Sequence, residues 1–387
     1  MTTKQLDEKY VAHTYARFPV EIVSGKGSLV WDDEGHEYID MGTGIAVNTF
    51  GLADDEWVAA VTGQLGKFQH TSNLYYTAPC AKLAQMLCEA SGMEKVFFGN
   101  SGAEANECAI KAARKYAQTK KGPEYYNIIT LKNSFHGRTI TTLAATGQDV
   151  FHTQFTPLTP GFLYADPADP ASLEALVAEN KVAAILFEAV QGEGGVLPLP
   201  DDFVQTMADI AKKNDILLVA DEVQVGNGRS GQMYGYMNLG LTPDIVTTAK
   251  GLGNGLPIGA CMLGAKVADV FTYGDHGSTF GGNPAVCAGA VNILSRLTED
   301  VLAGVRERSK FVFDSLEGAP GVKSVSGMGL MIGVEPDGKP AADVVAACRD
   351  SGVLVITAKN KVRLLPALNI PMEQLEKAVD VLKAACQ

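Results

Sequence analysis

Short runs of apolar residues alternate along the chain with longer stretches in which apolar residues recur every three or four positions. Ile216-Leu-Leu-Val-Ala220 contains no polar residue, which is typical of a strand covered on both faces of a mainly parallel sheet. The longer stretches, such as 103–118 and 203–213, predict amphipathic helices. The pattern therefore indicates an α/β fold whose strands are predicted over residues 96–98, 127–131, 182–187, 216–220, 244–249 and 258–263.

The two ends of the chain show a different pattern. Residues 20–41 predict a hairpin with the turn Asp32-Asp-Glu-Gly35. After Pro284 the chain predicts long helices, short strands and a closing helix from Met372. We therefore predict a large α/β domain, in which helices cover a mainly parallel sheet, and a smaller α+β domain built from both ends. The predicted boundaries are 1–51 for the N-terminal part of the small domain, 52–283 for the large domain and 284–387 for the C-terminal part of the small domain.

Composition and charge narrow the class of protein. The chain has 387 residues, of which 46% are hydrophobic and 20% charged, values that fit a folded enzyme and argue against disorder. A net charge of -12 disfavours nucleic acid and anionic membranes as partners. The polar N-terminus lacks the apolar stretch of a secretory signal. The seven cysteines are scattered without a Cys-x-x-Cys pair, which predicts neither a disulfide framework nor a zinc site and favours the cytoplasm.

Reactive side chains follow several of the predicted strands at the point where each strand ends. Asp221 follows 216–220, Lys250 follows 244–249, and Glu188 follows 182–187. A Gly/Ser turn and a helix start follow the first strand. Ligands of open α/β sheets bind beyond the carboxyl ends of the strands, so these groups predict one ligand site.

The helix that begins near Ser101 has two interpretations. Ser101 and Glu104 match the Ser-x-x-Glu capping box, which is an ordinary way to begin a helix. Alternatively, the free N–H groups of Gly102 and Ala103 hold a phosphate at the helix N-terminus.

Lys250 decides between these interpretations. Three glycines follow it in Gly251-Leu-Gly-Asn-Gly255, which we interpret as a close approach of the backbone to a bound ligand. A desolvated amine can form a Schiff base with an aldehyde, and pyridoxal phosphate is an aldehyde that also requires a phosphate site and a carboxylate beside its ring nitrogen. Asp221 is the candidate carboxylate. A dinucleotide fingerprint is disfavoured, because the glycine spacing does not match G-x-G-x-x-G and Pro257 interrupts the helix that should follow.

Several motifs in order resemble those of the class III aminotransferases of fold type I, most closely the members that use acetylornithine. The resemblance runs from Tyr15 to the last predicted helix. The matching segments are Phe98-Gly-Asn-Ser-Gly-Ala-Glu-Ala-Asn-Glu107, Phe135-His-Gly-Arg-Thr139, Glu188-Ala-Val-Gln-Gly-Glu-Gly-Gly195, Asp221-Glu-Val-Gln224, Ala249-Lys-Gly-Leu-Gly253, His276-Gly-Ser-Thr-Phe-Gly-Gly-Asn-Pro284 and Arg363-Leu-Leu-Pro366.

The resemblance implies a role for each cofactor-binding position. Lys250 would form the Schiff base, and Gln224 would hydrogen-bond the phenolic oxygen of pyridoxal phosphate. Val223 and Phe135 would sandwich its ring, and Thr279 of a neighbouring subunit would reach the phosphate, which implies a homodimer. The implied cofactor-binding residues are Ser101, Gly102, Ala103, Phe135, Asp221, Glu222, Val223, Gln224, Lys250 and Thr279, with Lys250 and Asp221 catalytic.

The resemblance also implies how substrates bind. Arg363 would clamp the carboxylate beside the reacting amine of glutamate, and Glu193 would neutralise Arg363 when acetylornithine, which has no carboxylate there, is bound. Arg138 would hold the distant carboxylate of either substrate, aided by Ser278. The implied reaction carries the terminal amine of acetylornithine to 2-oxoglutarate, a step of arginine biosynthesis that runs in reverse in the cell.

Three alternatives stay open. Within the family, the donor could be ornithine, succinylornithine, 4-aminobutyrate or a carrier-linked lysine, although Ile45 stands where ornithine-using members place a tyrosine, which favours an acylated donor. Outside the family, a nicotinamide-dependent dehydrogenase is the next interpretation, and a non-catalytic binding protein is the last.

Overall fold

The N-terminal segment forms a short antiparallel sheet. The structure is a computed structural model and describes residues 1–387. The elements of this segment are α1 (Thr3–Tyr10), β1 (Ile22–Lys26), β2 (Leu29–Asp32), β3 (Glu37–Asp40) and α2 (Thr43–Ala46). Strands β2 and β3 pair antiparallel, which confirms the predicted hairpin.

The central segment alternates strands and helices, as predicted. Its elements are α3 (Asp55–Leu65), α4 (Ala78–Ser91), β4 (Lys95–Gly99), α5 (Gly102–Lys121), β5 (Asn127–Leu131), α6 (Ile140–Ala145), β6 (Phe162–Ala165), α7 (Pro170–Glu179), β7 (Val182–Phe187), β8 (Val190–Gln191), β9 (Leu197–Pro198), α8 (Asp201–Asn214), β10 (Leu217–Asp221), α9 (Gly235–Asn238), β11 (Ile245–Thr248) and β12 (Gly259–Leu263). Strands β5, β7, β10, β11 and β12 each lie within a residue of their predicted bounds. Their apolar runs fold as strands because every residue of β7, β10, β11 and β12 is buried.

The seven-stranded central sheet brings the reactive strand ends to one edge. Its strand order is β4-β12-β11-β10-β7-β5-β6. Only β12 runs antiparallel to its neighbours, and the remaining pairs are parallel, so the prediction of a mainly parallel sheet is confirmed. The carboxyl ends of β4, β7, β10 and β11 therefore lie at the same edge of the sheet.

The C-terminal segment adds four helices and a second small sheet. Its elements are α10 (Pro284–Arg296), α11 (Glu299–Leu316), β13 (Val322–Met328), β14 (Met331–Pro336), α12 (Ala341–Asp350), β15 (Val353–Leu354), β16 (Ile356–Ala358), β17 (Lys361–Leu364) and α13 (Met372–Cys386). Strand β15 pairs with β3, so both ends of the chain contribute to one sheet. Strands β13, β14, β17 and β16 form the other sheet, and β17 carries Arg363. The domain boundaries themselves stay a prediction.

One large core holds these layers together. It contains 55 buried residues contributed by the central sheet, its helices and the C-terminal segment. All seven cysteines are free thiols. None of the helices combines the length and the hydropathy needed to cross a membrane.

Candidate active site

A cavity of about 450 Å³ lies at the carboxyl edge of the central sheet. Its size is typical of small-molecule sites. It is bounded by the N-terminus of α5, the loop after β5 and the residues that follow β10 and β11. The predicted site residues that line it are Ser101, Gly102, Ala103, Phe135, Arg138, Asp221, Val223, Gln224 and Lys250.

Lys250 lies two residues after the end of β11, in a 3₁₀ turn. Its φ of 43° is in the left-handed region, which a lysine rarely adopts and which is often found at functional sites. The side chain is half-buried because it faces the cavity, and desolvation by the surrounding protein lowers the pKa of its amine despite the nearby Glu193 carboxylate. The lowered pKa favours the neutral amine, which is the form that acts as a nucleophile or a base.

The glycines after Lys250 correct one interpretation made from the sequence. A Cβ on Gly251 would lie 2.7 Å from the Thr49 hydroxyl, and a Cβ on Gly253 would lie 2.0 Å from the carbonyl oxygen of Leu256. The protein's own chain therefore requires these two glycines, and their interpretation as a close approach to a ligand is wrong. Only Gly255 of the three lines the cavity.

Asp221 is fixed by a buried hydrogen-bond network. Its Oδ2 accepts a bond of 2.8 Å from Asn106 and lies 2.8 Å from His136 Nδ1, and its Oδ1 accepts a bond of 3.0 Å from the N–H of Val223. Asn106 is in turn held by Thr247, which donates to its amide oxygen. The carboxylate is thus oriented toward the cavity without freedom to rotate away. The resemblance had assigned no role to Asn106, although it lies four residues after Gly102 and therefore on the same face of α5.

Glu188 is a second carboxyl group in the same wall of the cavity. It accepts bonds from the N–H groups of Phe135 (2.9 Å) and Gly192 (3.4 Å). Burial, together with the charge of Asp221, raises the pKa of Glu188 well above its ordinary value. The raised pKa favours the protonated form of Glu188. The sequence placed Glu188 at the strand end but gave no sign that the pKa of its carboxyl group is raised.

The N-terminus of α5 can hold an anion. Ser101 Oγ accepts a bond from the N–H of Glu104, which confirms half of the predicted capping box. The other half is wrong, because the Glu104 carboxylate accepts from the backbone and side chain of Asn100 instead. The N–H groups of Gly102 and Ala103 have no acceptor within the helix and face the cavity.

The buried Arg363 and Gln224 form a polar cluster with the partly exposed Glu193 next to the cavity. Arg363 Nη1 lies 2.7 Å from Glu193 Oε1 and 3.0 Å from Gln224 Oε1. Burial alone would raise the pKa of Glu193, but the charge and hydrogen bond of Arg363 lower it below its ordinary value, so the ion pair is intact. Arg363 is 2% exposed, and its Nε has no partner. An unpaired buried donor beside a cavity is available to a ligand carboxylate.

Five predicted residues do not line the cavity: Arg363 and Glu193, which lie next to it, and Glu222, Ser278 and Thr279. Glu222 accepts bonds of 2.7 and 2.8 Å from the N–H groups of Gly235 and Tyr236, on the side opposite Asp221. Consecutive residues at the end of a strand point to opposite faces, which explains why Glu222 does not line the cavity. Ser278 accepts bonds from Asn100 and from the N–H of Gly281, and Thr279 is exposed on the same loop.

The residues present fit pyridoxal phosphate. A desolvated amine, an oriented carboxylate and an anion-binding helix start lie around one cavity, as this cofactor requires. A Cβ on Gly102 would lie 2.7 Å from Val223 Cγ1, so the glycine lets Val223 lie against the helix start. Val223 and Phe135 supply the apolar contacts for a ring.

Comparison with known proteins gives a consistent result. The family described as aminotransferase class-III matches residues 10–386. The chain is similar to an acetylornithine aminotransferase of Haemophilus ducreyi, with 51% identity over 98% of this chain and 97% of the relative. It is also similar in structure to an N-acetylornithine aminotransferase of Stenotrophomonas maltophilia K279a (TM-score 0.84, 36% identity, 98% and 97% covered). An ornithine aminotransferase of Toxoplasma gondii with partial occupancy of PLP at its active site gives a TM-score of 0.93, with 32% identity and 99% and 93% covered.

Proposed function

The chain belongs to the class-III aminotransferases, and from that premise we propose that it transfers the terminal amine of N-acetylornithine to 2-oxoglutarate. The products are N-acetylglutamate 5-semialdehyde and glutamate. In arginine biosynthesis the same reaction runs in reverse. The observation that carries the proposal is the ion pair between the buried Arg363 and the partly exposed Glu193 at the edge of the cavity, since such a pair can open for one substrate and stay closed for the other.

The cofactor is pyridoxal 5′-phosphate, whose ring, when bound, withdraws the electrons left on the substrate carbon after that carbon loses a proton. Lys250, Asp221 and the helix start at Gly102 would hold it. Asp221, which Asn106 and the N–H of Val223 hold in place, would pair with the ring nitrogen. The lowered pKa of Lys250 favours the neutral amine, so its Nζ would take the proton from the substrate carbon and deliver it to the carbon of the cofactor that carried the aldehyde.

Arg363 and Glu193 would allow the same site to accept both substrates. With glutamate, Arg363 leaves Glu193 and forms a charge-assisted pair with the carboxylate beside the reacting amine. With acetylornithine, which lacks that carboxylate, Glu193 stays on Arg363 and prevents an unpaired buried charge. Arg138 is exposed at the cavity and would bind the carboxylate at the far end of either substrate.

We also propose a homodimer in which Thr279 completes the partner's phosphate site. Thr279 lies on an exposed loop that contacts a second exposed segment: Asn73 donates to the carbonyl oxygens of Ser278 and Gly281, and the rings of His70 and Phe280 lie 5.4 Å apart. Large apolar side chains are exposed around this loop, which favours burial against a second copy. They are Leu74 (88% exposed), Tyr75 (69%), Tyr76 (107%), Tyr273 (110%) and Phe280 (60%). The free cysteines support a cytoplasmic location.

The test is an amine-donor assay with the purified enzyme, 2-oxoglutarate and pyridoxal phosphate. We expect glutamate to form with acetylornithine at a higher kcat/KM than with ornithine, succinylornithine, 4-aminobutyrate or a carrier-linked lysine. Lys250→Ala should abolish turnover, while Lys310→Ala, which removes an exposed lysine paired with Asp314, should leave it unchanged. Absence of glutamate with acetylornithine, or a higher kcat/KM for another donor, would refute the proposed substrate.

A further inference from the structure

Arg138 lies against two aromatic rings at the mouth of the cavity. Its guanidinium carbon is 4.4 Å from the ring centroid of Phe151 and 5.6 Å from that of Phe135. The two rings meet edge to face, with centroids 5.9 Å apart and planes inclined by 72°. We refer to Phe135, Phe151 and Arg138 together as the aromatic clamp.

The clamp supplies the contacts that restrain Arg138. The side chain is exposed, and no carboxylate of the chain forms an ion pair with it. A free arginine at such a position samples many rotamers, and ordering it upon binding a carboxylate opposes the binding. A guanidinium within about 6 Å of a ring centroid is attracted to the face of that ring. Phe151, the nearer of the two rings, therefore limits the positions that the guanidinium samples before a ligand arrives.

Phe151 lies outside the motifs that carry the family resemblance. It ends the 3₁₀ turn Asp149–Phe151. It does not line the cavity, so it has no direct contact with a ligand there. It instead contacts Phe135, a residue of the proposed cofactor site, and Arg138, a residue of the proposed substrate site.

We propose that Phe151 is a positioning residue that preorients Arg138 toward the substrate carboxylate farthest from the reacting amine. The proposal rests on the proposed function through the role of Arg138. It predicts that replacing Phe151 weakens the binding of ligands that carry the carboxylate bound by Arg138 and leaves the binding of ligands without that carboxylate unchanged. A packing role, in which Phe151 only supports the ring of Phe135, predicts the same effect on every ligand.

A binding measurement separates the two roles without turnover. The probe is glutarate, an unreactive dicarboxylate, titrated calorimetrically into the enzyme loaded with pyridoxal phosphate. We expect Phe151→Leu to weaken glutarate binding roughly two- to fivefold, the range for an exposed cation–π contact. Phe151→Tyr, which keeps the ring face, should bind as the wild type does. In an Arg138→Met background, Phe151→Leu should change nothing, because the guanidinium is already absent.

Kinetics provide the second readout. Acetylornithine is compared with N-acetylputrescine, which is the same amine without the carboxylate. Phe151→Leu should raise KM for acetylornithine with little change in kcat, and should leave N-acetylputrescine unaffected. Equal losses with both amines, or an undiminished effect of Phe151→Leu in the Arg138→Met background, would overturn the proposal. If the wild type does not use acetylornithine at all, the proposed function fails, while the glutarate cycle still tests Phe151.

Discussion

Removing Glu193 should change which substrate the enzyme prefers. Glu193 Oε1 lies 2.7 Å from Arg363 Nη1, so glutamate has to displace this ion pair before its own carboxylate can bind. A hydrogen bond to a charged group contributes roughly 1.5–3 kcal/mol, and the 31% exposure of the Glu193 side chain favours the lower end of that range. About 1.4 kcal/mol corresponds to a factor of ten. Glu193→Ala should therefore raise the preference for glutamate over acetylornithine by about tenfold.

The assay measures kcat/KM for glutamate and for acetylornithine, each as amino donor, and compares their ratio between variants. Glu193→Gln, which keeps a neutral acceptor for Arg363, should give an intermediate ratio. The matched control is Glu299→Gln, since Glu299 forms an exposed ion pair with Arg306 on α11 and neither residue lines the cavity. The control should keep the wild-type ratio. A Glu193→Ala ratio within a factor of two of the wild type would show that the pair does not compete with substrate.

Two further changes test the cofactor site and the buried acid beneath it. Gly102→Ala should weaken the affinity for pyridoxal phosphate, measured by its absorbance, because the new Cβ would lie 2.7 Å from Val223 Cγ1, whereas Gly63→Ala, with nothing within 4 Å, should not. Burial raises the pKa of Glu222 from 4.5 to about 8, so the folded chain keeps a proton that the unfolded chain loses. Stability should therefore fall by about 1.4 kcal/mol per pH unit from this group as pH rises across that window, and urea unfolding of Glu222→Gln should lack this part of the slope. If Glu222→Gln showed the same dependence of unfolding free energy on pH as the wild type, the raised pKa of Glu222 would be contradicted.

The central sheet could be predicted from the sequence because its strands are buried on both faces. Runs such as 182–187 contain no polar residue, and their bounds coincide with β7. The reversal of β12 could not be predicted, because its run, with every residue buried, resembles those of its parallel neighbours. Direction within a sheet depends on how the chain connects the strands, and the apolar pattern does not record it.

The site could be predicted where a residue type and a strand end coincide. Asp221 is the last residue of the buried strand β10 and Lys250 follows β11, and the structure brings both to one cavity. A motif gives positions but not directions, so it could not show that the Glu222 carboxylate points to the opposite side from Asp221. Phe151 could not be found from the motifs, since its contacts with Arg138 arise only when the chain folds.

The most direct test of the account is reduction of the loaded enzyme with borohydride, followed by tryptic digestion and mass spectrometry. The account predicts that a pyridoxyl group appears on the peptide containing Lys250 and that the yellow colour is lost. It is contradicted if that peptide carries no added mass, or if the pyridoxyl group is found on another lysine.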